Sequence, residues 1–470
     1  GVGAGGERQQ AQAETPGPAA PAAPVLPAFS LSADAAEAEG TYVVAFSGSG
    51  VPAGFAAAVA KLGGTVVFAH GEAGIGAVRG LSAESAGALA RVAGVSQVAG
   101  DVVTDLAPLA DGEAPEGAAI ESPTAPQTAS FYPRQWNLRA IRAHDAWAAG
   151  RLGSPSVRVG IIDTGLGYTH ADLAGRVDLG LSVSFVPADD ALIATSFPGA
   201  HPVADLHYHG THVGATVASN AVVAAGVTSR VTLVGIKACG ASGGCATSRT
   251  LQGLLYAADQ GLDVVNISIG ALVARRDMSA SGGDGPALGA TIGKVINYAH
   301  RKGVTVVVSA GNNNHDLDHD GDIYKFYCTA ANVICVSATG PTAAPTNNGP
   351  FTDVDARAPY SNYGRSAVDV AAPGGAGGGL NRGFVSAACS TFSLSLPVCQ
   401  AGGFVVGLNG TSMASPHAAG VAALIVEDVG RDPAQVRARL LQTADDLGQP
   451  GVDPIYGKGR INAARAVGLE

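Results

Sequence analysis

A chain of 470 residues that is 47% hydrophobic can bury at least one large core, and two or three domains are expected from its length. A formal net charge of −10 with no basic block argues against a nucleic-acid partner, and no apolar run is long enough to span a bilayer. Charged residues are only 14% and glycines number 66, which points to close backbone packing and many loops rather than a charged helical bundle.

The first 40 residues are mostly Ala, Pro, Gly and Gln, a composition that buries too little apolar surface to offset its ordering entropy, so a disordered leader is predicted. Order is expected from residue 41. A strand TYVVAF, an Ala-rich helix over 53–62, strands TVVFAH and IGAVRG, a helix over 83–92 and a last strand over 95–103 give a β-α-β-β-α-β order. That is the split, ferredoxin-like pattern of a small α+β module spanning 41–106. Residues 107–130 turn to Pro, Ala, Glu and Gly, as in an exposed linker.

From 131 to 470 the pattern changes to short Val/Ile-rich runs, VRVGIID, VTLVGIKA, LDVVNISIG, VTVVVSAG and NVICVSATG. Helical stretches over 210–220, 248–260 and 290–302 separate most of them. This alternation predicts an α/β fold, a doubly wound, mostly parallel sheet with functional groups beyond the carboxyl ends of its strands. Asp163, Ser268 and Asn312 all lie at such ends. Residues 271–289 and 373–409 read as insertions that can reshape access to a site, and a late helix has Asp432 as its cap and Pro433 at its first position.

Six cysteines fall as close pairs, Cys239 with Cys245, Cys328 with Cys335 and Cys389 with Cys399. An even count favours disulfides in an oxidising compartment, and nearest-neighbour pairing is the expected one of the fifteen that six cysteines allow. The stretch 408–420, LNGTSMASPHAAG, sets Ser412 between small residues at the start of an apolar helix. The first N–H groups of that helix have no intrahelical partner and can stabilise an oxyanion. A serine there can also be a plain N-cap.

Read together, IIDTG at 161–165, HGTHV at 209–213 and GTSMASPH at 410–417, in the order Asp, His, Ser along an α/β chain, resemble the subtilisin-like serine proteases (subtilases, peptidase family S8). The likeness extends over 135–467 and includes SAGNN at 309–313. It implies that Ser412 is the nucleophile, His209 the general base, Asp163 the residue that orients it, and Asn312 an oxyanion donor beside the Ser412 N–H. It further implies that Ser268, Ile269 and Gly270 line one edge of the substrate cleft, Gly240 to Gly244 (with Gly243) the facing edge, and Ser309 and Gly311 the adjoining wall. Peptides or proteins are then the substrates. The 41–106 module is an intramolecular inhibitor, released by a cut between Asp105 and Pro133, and the chain is an extracellular or periplasmic zymogen, expected to be a monomer.

No cofactor is implied for catalysis. Asp316, Asp318, Asp320 and Asp322, in DLDHDGD, resemble the start of a calcium loop, and a structural calcium is the expectation carried there. Asp172 matches a carboxylate of the family's common calcium site, but the loop 219–226 is too short for the other ligands, so that site is not predicted. Two other readings of the chain exist: a catalytically silent peptide binder, and a metallohydrolase built on His201, His207, His209 and His212.

Overall fold

The computed structural model describes residues 39–106, 116–117, 125–274, 285–319, 321, 323–377 and 382–470. Near the amino end come β1 (Tyr42–Phe46), α1 (Phe55–Lys61), β2 (Thr65–His70), β3 (Ile75–Arg79), α2 (Ala83–Leu89) and β4 (Val95–Gly100). The strands form an antiparallel sheet in the order β2-β3-β1-β4, and Val44, Phe46, Phe55, Val59, Val78 and Leu89 close its own small core. The strand expected over 95–103 is instead broken. β4 stops at Gly100, Asp101 turns its carboxylate onto a distant helix, and β5 (Val103–Asp105) joins another sheet.

After β6 (Glu116–Gly117), α3 (Trp136–Ala140) and α4 (Ala143–Ala148), the large domain builds its sheet. Its strands and helices run β7 (Arg158–Asp163), β8 (Val183–Ser184), α5 (Pro187–Ser196), α6 (His209–Val217), β9 (Thr232–Lys237), β10 (Gly244–Ala246), α7 (Thr247–Asp259) and β11 (Val264–Ile267). They continue through β12 (Ala271–Ala274), α8 (Gly285–Arg301), β13 (Thr305–Ser309), β14 (Ile323–Phe326), β15 (Val333–Thr339) and β16 (Val370–Pro373). The chain ends with β17 (Val385–Ala388), β18 (Phe404–Leu408), α9 (Thr411–Val429), α10 (Pro433–Gln442) and α11 (Ala463–Ala466). Seven strands in the order β16-β15-β13-β11-β7-β9-β8 pair in parallel throughout.

Strand side chains alternate between faces, so each Val/Ile run feeds two cores. Val159 and Ile161 of β7, Val307 of β13 and Val336 of β15 pack with α6 and α9. Ile162, Val306, Val308 and Val333 point the other way, toward α7 and α8. The residues of α9 from Thr411 to Val426 are all buried, which is why nearly its whole circumference is apolar. Asp432 Oδ1 accepts the Gln435 N–H at 3.0 Å and caps α10 as its sequence predicts.

Two expectations are corrected. α8 starts at Gly285 rather than 290, and the first residues of the supposed polar insertion form β12, paired antiparallel with β14. All three expected disulfides are formed: Cys239–Cys245, Cys328–Cys335 and Cys389–Cys399.

The amino-terminal module sits on α7 and α8. Val43, Ala73, Ile75 and Ala99 join the core beneath those helices. Lys294 Nζ donates to the Phe46 carbonyl at 2.8 Å, Lys302 pairs with Glu72 at 2.9 Å, and His70 Nε2 meets Asp259 at 3.1 Å. No side chain of its own caps α7. Asp101 Oδ1 accepts the Ser248 N–H at 3.0 Å and the Val102 carbonyl accepts the Thr247 N–H at 2.9 Å, so the module satisfies the first donors of that helix.

Candidate active site

Asp163 is the last residue of β7, and His209 is the first of α6. Gly210 lets that helix start directly on the turn after β7, because a Cβ there would lie 2.3 Å from the Gly165 carbonyl oxygen. His209 Nδ1 meets Asp163 Oδ1 at 2.8 Å, and Oδ1 also accepts the Thr164 N–H at 2.8 Å. Nδ1 therefore carries the proton, and Nε2 presents a lone pair. Burial opposes a charged imidazolium at His209, but the Asp163 carboxylate and its hydrogen bond outweigh it and raise the pKa above the ordinary 6.5.

Ser412 is the second residue of α9, and its Oγ donates to the Ser268 carbonyl at 3.0 Å. Beneath it, Ser268 Oγ donates to the Ser412 carbonyl at 2.8 Å, lies 3.0 Å from Ser415 Oγ and accepts from Asn266 Nδ2 at 2.8 Å. Asn312 Oδ1 accepts from both the N–H and the hydroxyl of Thr411 at 2.8 Å. Two donors on one atom identify it as the oxygen and leave the amide nitrogen to face other groups. Asn312 and Ser412 line a cleft with Ser268, Gly270, Leu272, Gly311 and Asn313.

A family model described as the subtilase family matches residues 154–459, the domain that carries all of these groups. The chain belongs to the subtilase family. This subtilase is similar to thermitase from Thermoactinomyces vulgaris, at 32% identity over 345 residues, which are 73% of this chain and 99% of thermitase. It is also similar to subtilisin Savinase from Lederbergia lenta, at 31% identity over 337 residues, 70% of this chain and 97% of the relative. The solved structure of the epidermin leader peptide processing serine protease (EpiP) from Staphylococcus aureus superposes with a TM-score of 0.66 at 20% identity. That superposition covers 91% of this subtilase and 97% of EpiP, and it speaks to fold.

The cleft of this subtilase holds its own chain. β5 pairs antiparallel with β10, Asp105 opposite Gly244 and Thr104 opposite Cys245, and the Leu106 N–H donates to the Gly243 carbonyl at 2.9 Å. Val103 to Leu106 thereby line the same cleft as Ser412. The disulfide between Cys239 and Cys245 closes the loop that contains Gly240 and Gly243, so it stiffens the edge to which the strand is added. Of the expected second edge, Ser268 and Gly270 line the same cleft.

The other histidines of this subtilase face separate partners. His212 Nε2 lies 2.9 Å from the Val385 carbonyl, His207 Nδ1 accepts the His209 N–H at 3.3 Å, and His201 Nδ1 accepts the Val203 N–H at 3.1 Å. Burial pushes His207 and His212 down to about 3. Among the described residues no three His, Cys, Asp or Glu side chains converge as a metal site.

Asp316 accepts from His319 at 2.7 Å and from the Asp318 N–H, while Asp318 accepts from the Arg365 and Ser366 N–H groups. Asp320 and Asp322 lie outside the described residues. Asp172 accepts the N–H groups of Val222, Val223 and Ala224, which accounts for its burial.

Sequence reasoning missed several supports. Thr411 fixes Asn312, and the buried Asp205 accepts the N–H and hydroxyl of Thr211 one turn into α6. The loop closed by Cys389 and Cys399 grips the segment before His209: Ser390 Oγ donates to the Asp205 carbonyl, the Leu394 N–H to the Leu206 carbonyl at 2.8 Å, and Ser393 Oγ to the His207 carbonyl. The Thr next to the nucleophile was a readable signal; the others depend on contacts across long stretches of chain.

Proposed function

We propose that this subtilase is an exported zymogen that cleaves peptide bonds through an acyl-enzyme on Ser412. The buried 2.8 Å bond between His209 and Asp163 carries this reading, because α6 packs along α9, the helix that presents Ser412. With substrate in place, Ser412 Oγ–H turns from the Ser268 carbonyl to His209 Nε2. His209 takes the proton as Oγ attacks the carbonyl carbon. The carbonyl oxygen becomes an oxyanion held by Asn312 Nδ2 and the Ser412 N–H. His209 then protonates the leaving amine, and a water activated by the same base releases the acid product.

Catalysis needs no cofactor in this reading, and one chain supplies every group. Three disulfides agree with an oxidising compartment outside the cytosol. The strand lying in the cleft supports an inhibitory role for residues 41–106, ended by cleavage between Asp105 and Pro133. Replacing a helix cap costs about 1 kcal/mol. Asp101→Ala is accordingly expected to weaken inhibition by added prodomain roughly fivefold. An unchanged inhibition constant would remove Asp101 from the docking contacts.

Hydrolysis of casein by the purified chain tests the reaction. Hydrolysis should stop with a fluorophosphonate. Activity that survives that reagent and is lost only to a chelator would contradict it and favour a metallohydrolase. No hydrolysis even after the module has been cut away would favour a silent binder.

A further inference from the structure

We propose that the slot beside Ser412 selects substrates with a small residue, glycine, alanine or serine, on the acyl side of the cut bond. This rests on the reading above and adds the substrate class. β11 and β13 are neighbours in the sheet, so the segments that continue them must splay apart if a side chain is to enter between them. Here they do not. A Cβ built on Gly270 would lie 2.8 Å from Gly311 Cα and 3.4 Å from Gly311 N. An aromatic ring needs about 3.5 Å of contact distance to each wall, so roughly 7 Å between them.

Both walls are held from outside the slot. On the Gly270 side, the next residue, Ala271, pairs with Phe326, which is buried in the same apolar cluster as Ile269 and Ala310. On the Gly311 side, the N–H donates to Thr411 Oγ1 at 3.0 Å, the carbonyl accepts the Asn362 N–H at 2.9 Å, and Asn362 Nδ2 donates to the Ala310 carbonyl at 2.8 Å. Opening the slot for a large side chain breaks such contacts. Ser309 Oγ is buried without a hydrogen-bond partner about 4.0 Å from the Gly270 Cβ position, so the base of the slot offers a polar atom to a serine.

The test is a panel of internally quenched peptides identical except for Gly, Ala, Ser, Leu or Phe at the acyl position. They are given to the full chain after self-processing, with active sites counted by fluorophosphonate titration. The Ala peptide should exceed the Phe peptide in kcat/KM by at least about tenfold, in the range that a misfit in such a pocket produces. Phe326→Ala, which loosens one wall, should narrow that ratio. Titratable sites with Phe or Leu cleaved as fast as Ala would overturn the slot proposal and leave the reaction standing. No titratable site and no cleavage would overturn the underlying reading, and the slot proposal with it.

Discussion

Asp163→Asn is expected to lower kcat by about 10⁴, with little change in KM. Asp163 is fully buried and touches no substrate; its effect passes through His209. The substitution keeps the shape but removes the charge that supports the imidazolium formed when Ser412 loses its proton.

The same variant has a pH signature. His209 acts as a base only when neutral, so activity is lost as pH falls through its pKa, which lies above 6.5 in the native protein. Without the Asp163 carboxylate, burial outweighs the smaller remaining pull of Asp205 and favours the neutral ring. The acid limb of kcat/KM should therefore move to lower pH in Asp163→Asn even as its plateau falls. A pH profile with an unmoved limb would contradict the assigned role.

Asn312→Ala is expected to lower kcat by about 10²–10³, the usual result of removing one oxyanion donor, with KM nearly unchanged. The side chain also accepts two hydrogen bonds from Thr411, so a loss in the alanine variant has a structural explanation too. Asn312→Asp separates the two. It keeps an oxygen for Thr411 but places negative charge where the oxyanion forms, and its kcat should fall at least as far. Near-native turnover in Asn312→Asp would reduce Asn312 to a support for Thr411.

Much of this was legible in the sequence because two periodicities are local. Val/Ile runs gave the parallel strands, and alternating runs with Ala-rich helices gave the small amino-terminal sheet. The residues of the candidate site stood out because Asp163, His209 and Ser412 sit in short glycine-bearing motifs at element ends, where backbones must approach closely.

What stayed hidden is nonlocal. Asp101 reads as the middle of a strand until α7, some 146 positions later, is seen to need an acceptor for its first N–H groups. Residues 271–274, ALVA, are apolar but head a polar, Gly-rich run, and so short a strand is defined by its pairing with the distant β14 rather than by a pattern of its own. Ser390 and Ser393 carry no motif, and only folding brings the Cys389–Cys399 loop against the segment that leads to His209.

The most direct test of Ser412 as an activated nucleophile is the intact mass of the full chain after fluorophosphonate treatment, beside Ser412→Ala and with mild proteolysis as a second arm. The expected result is one adduct, mapped to Ser412 on a fragment beginning between Asp105 and Pro133, and none in the variant. An adduct that persists in Ser412→Ala, or an unlabelled chain even after its first hundred residues have been cut away, would contradict it.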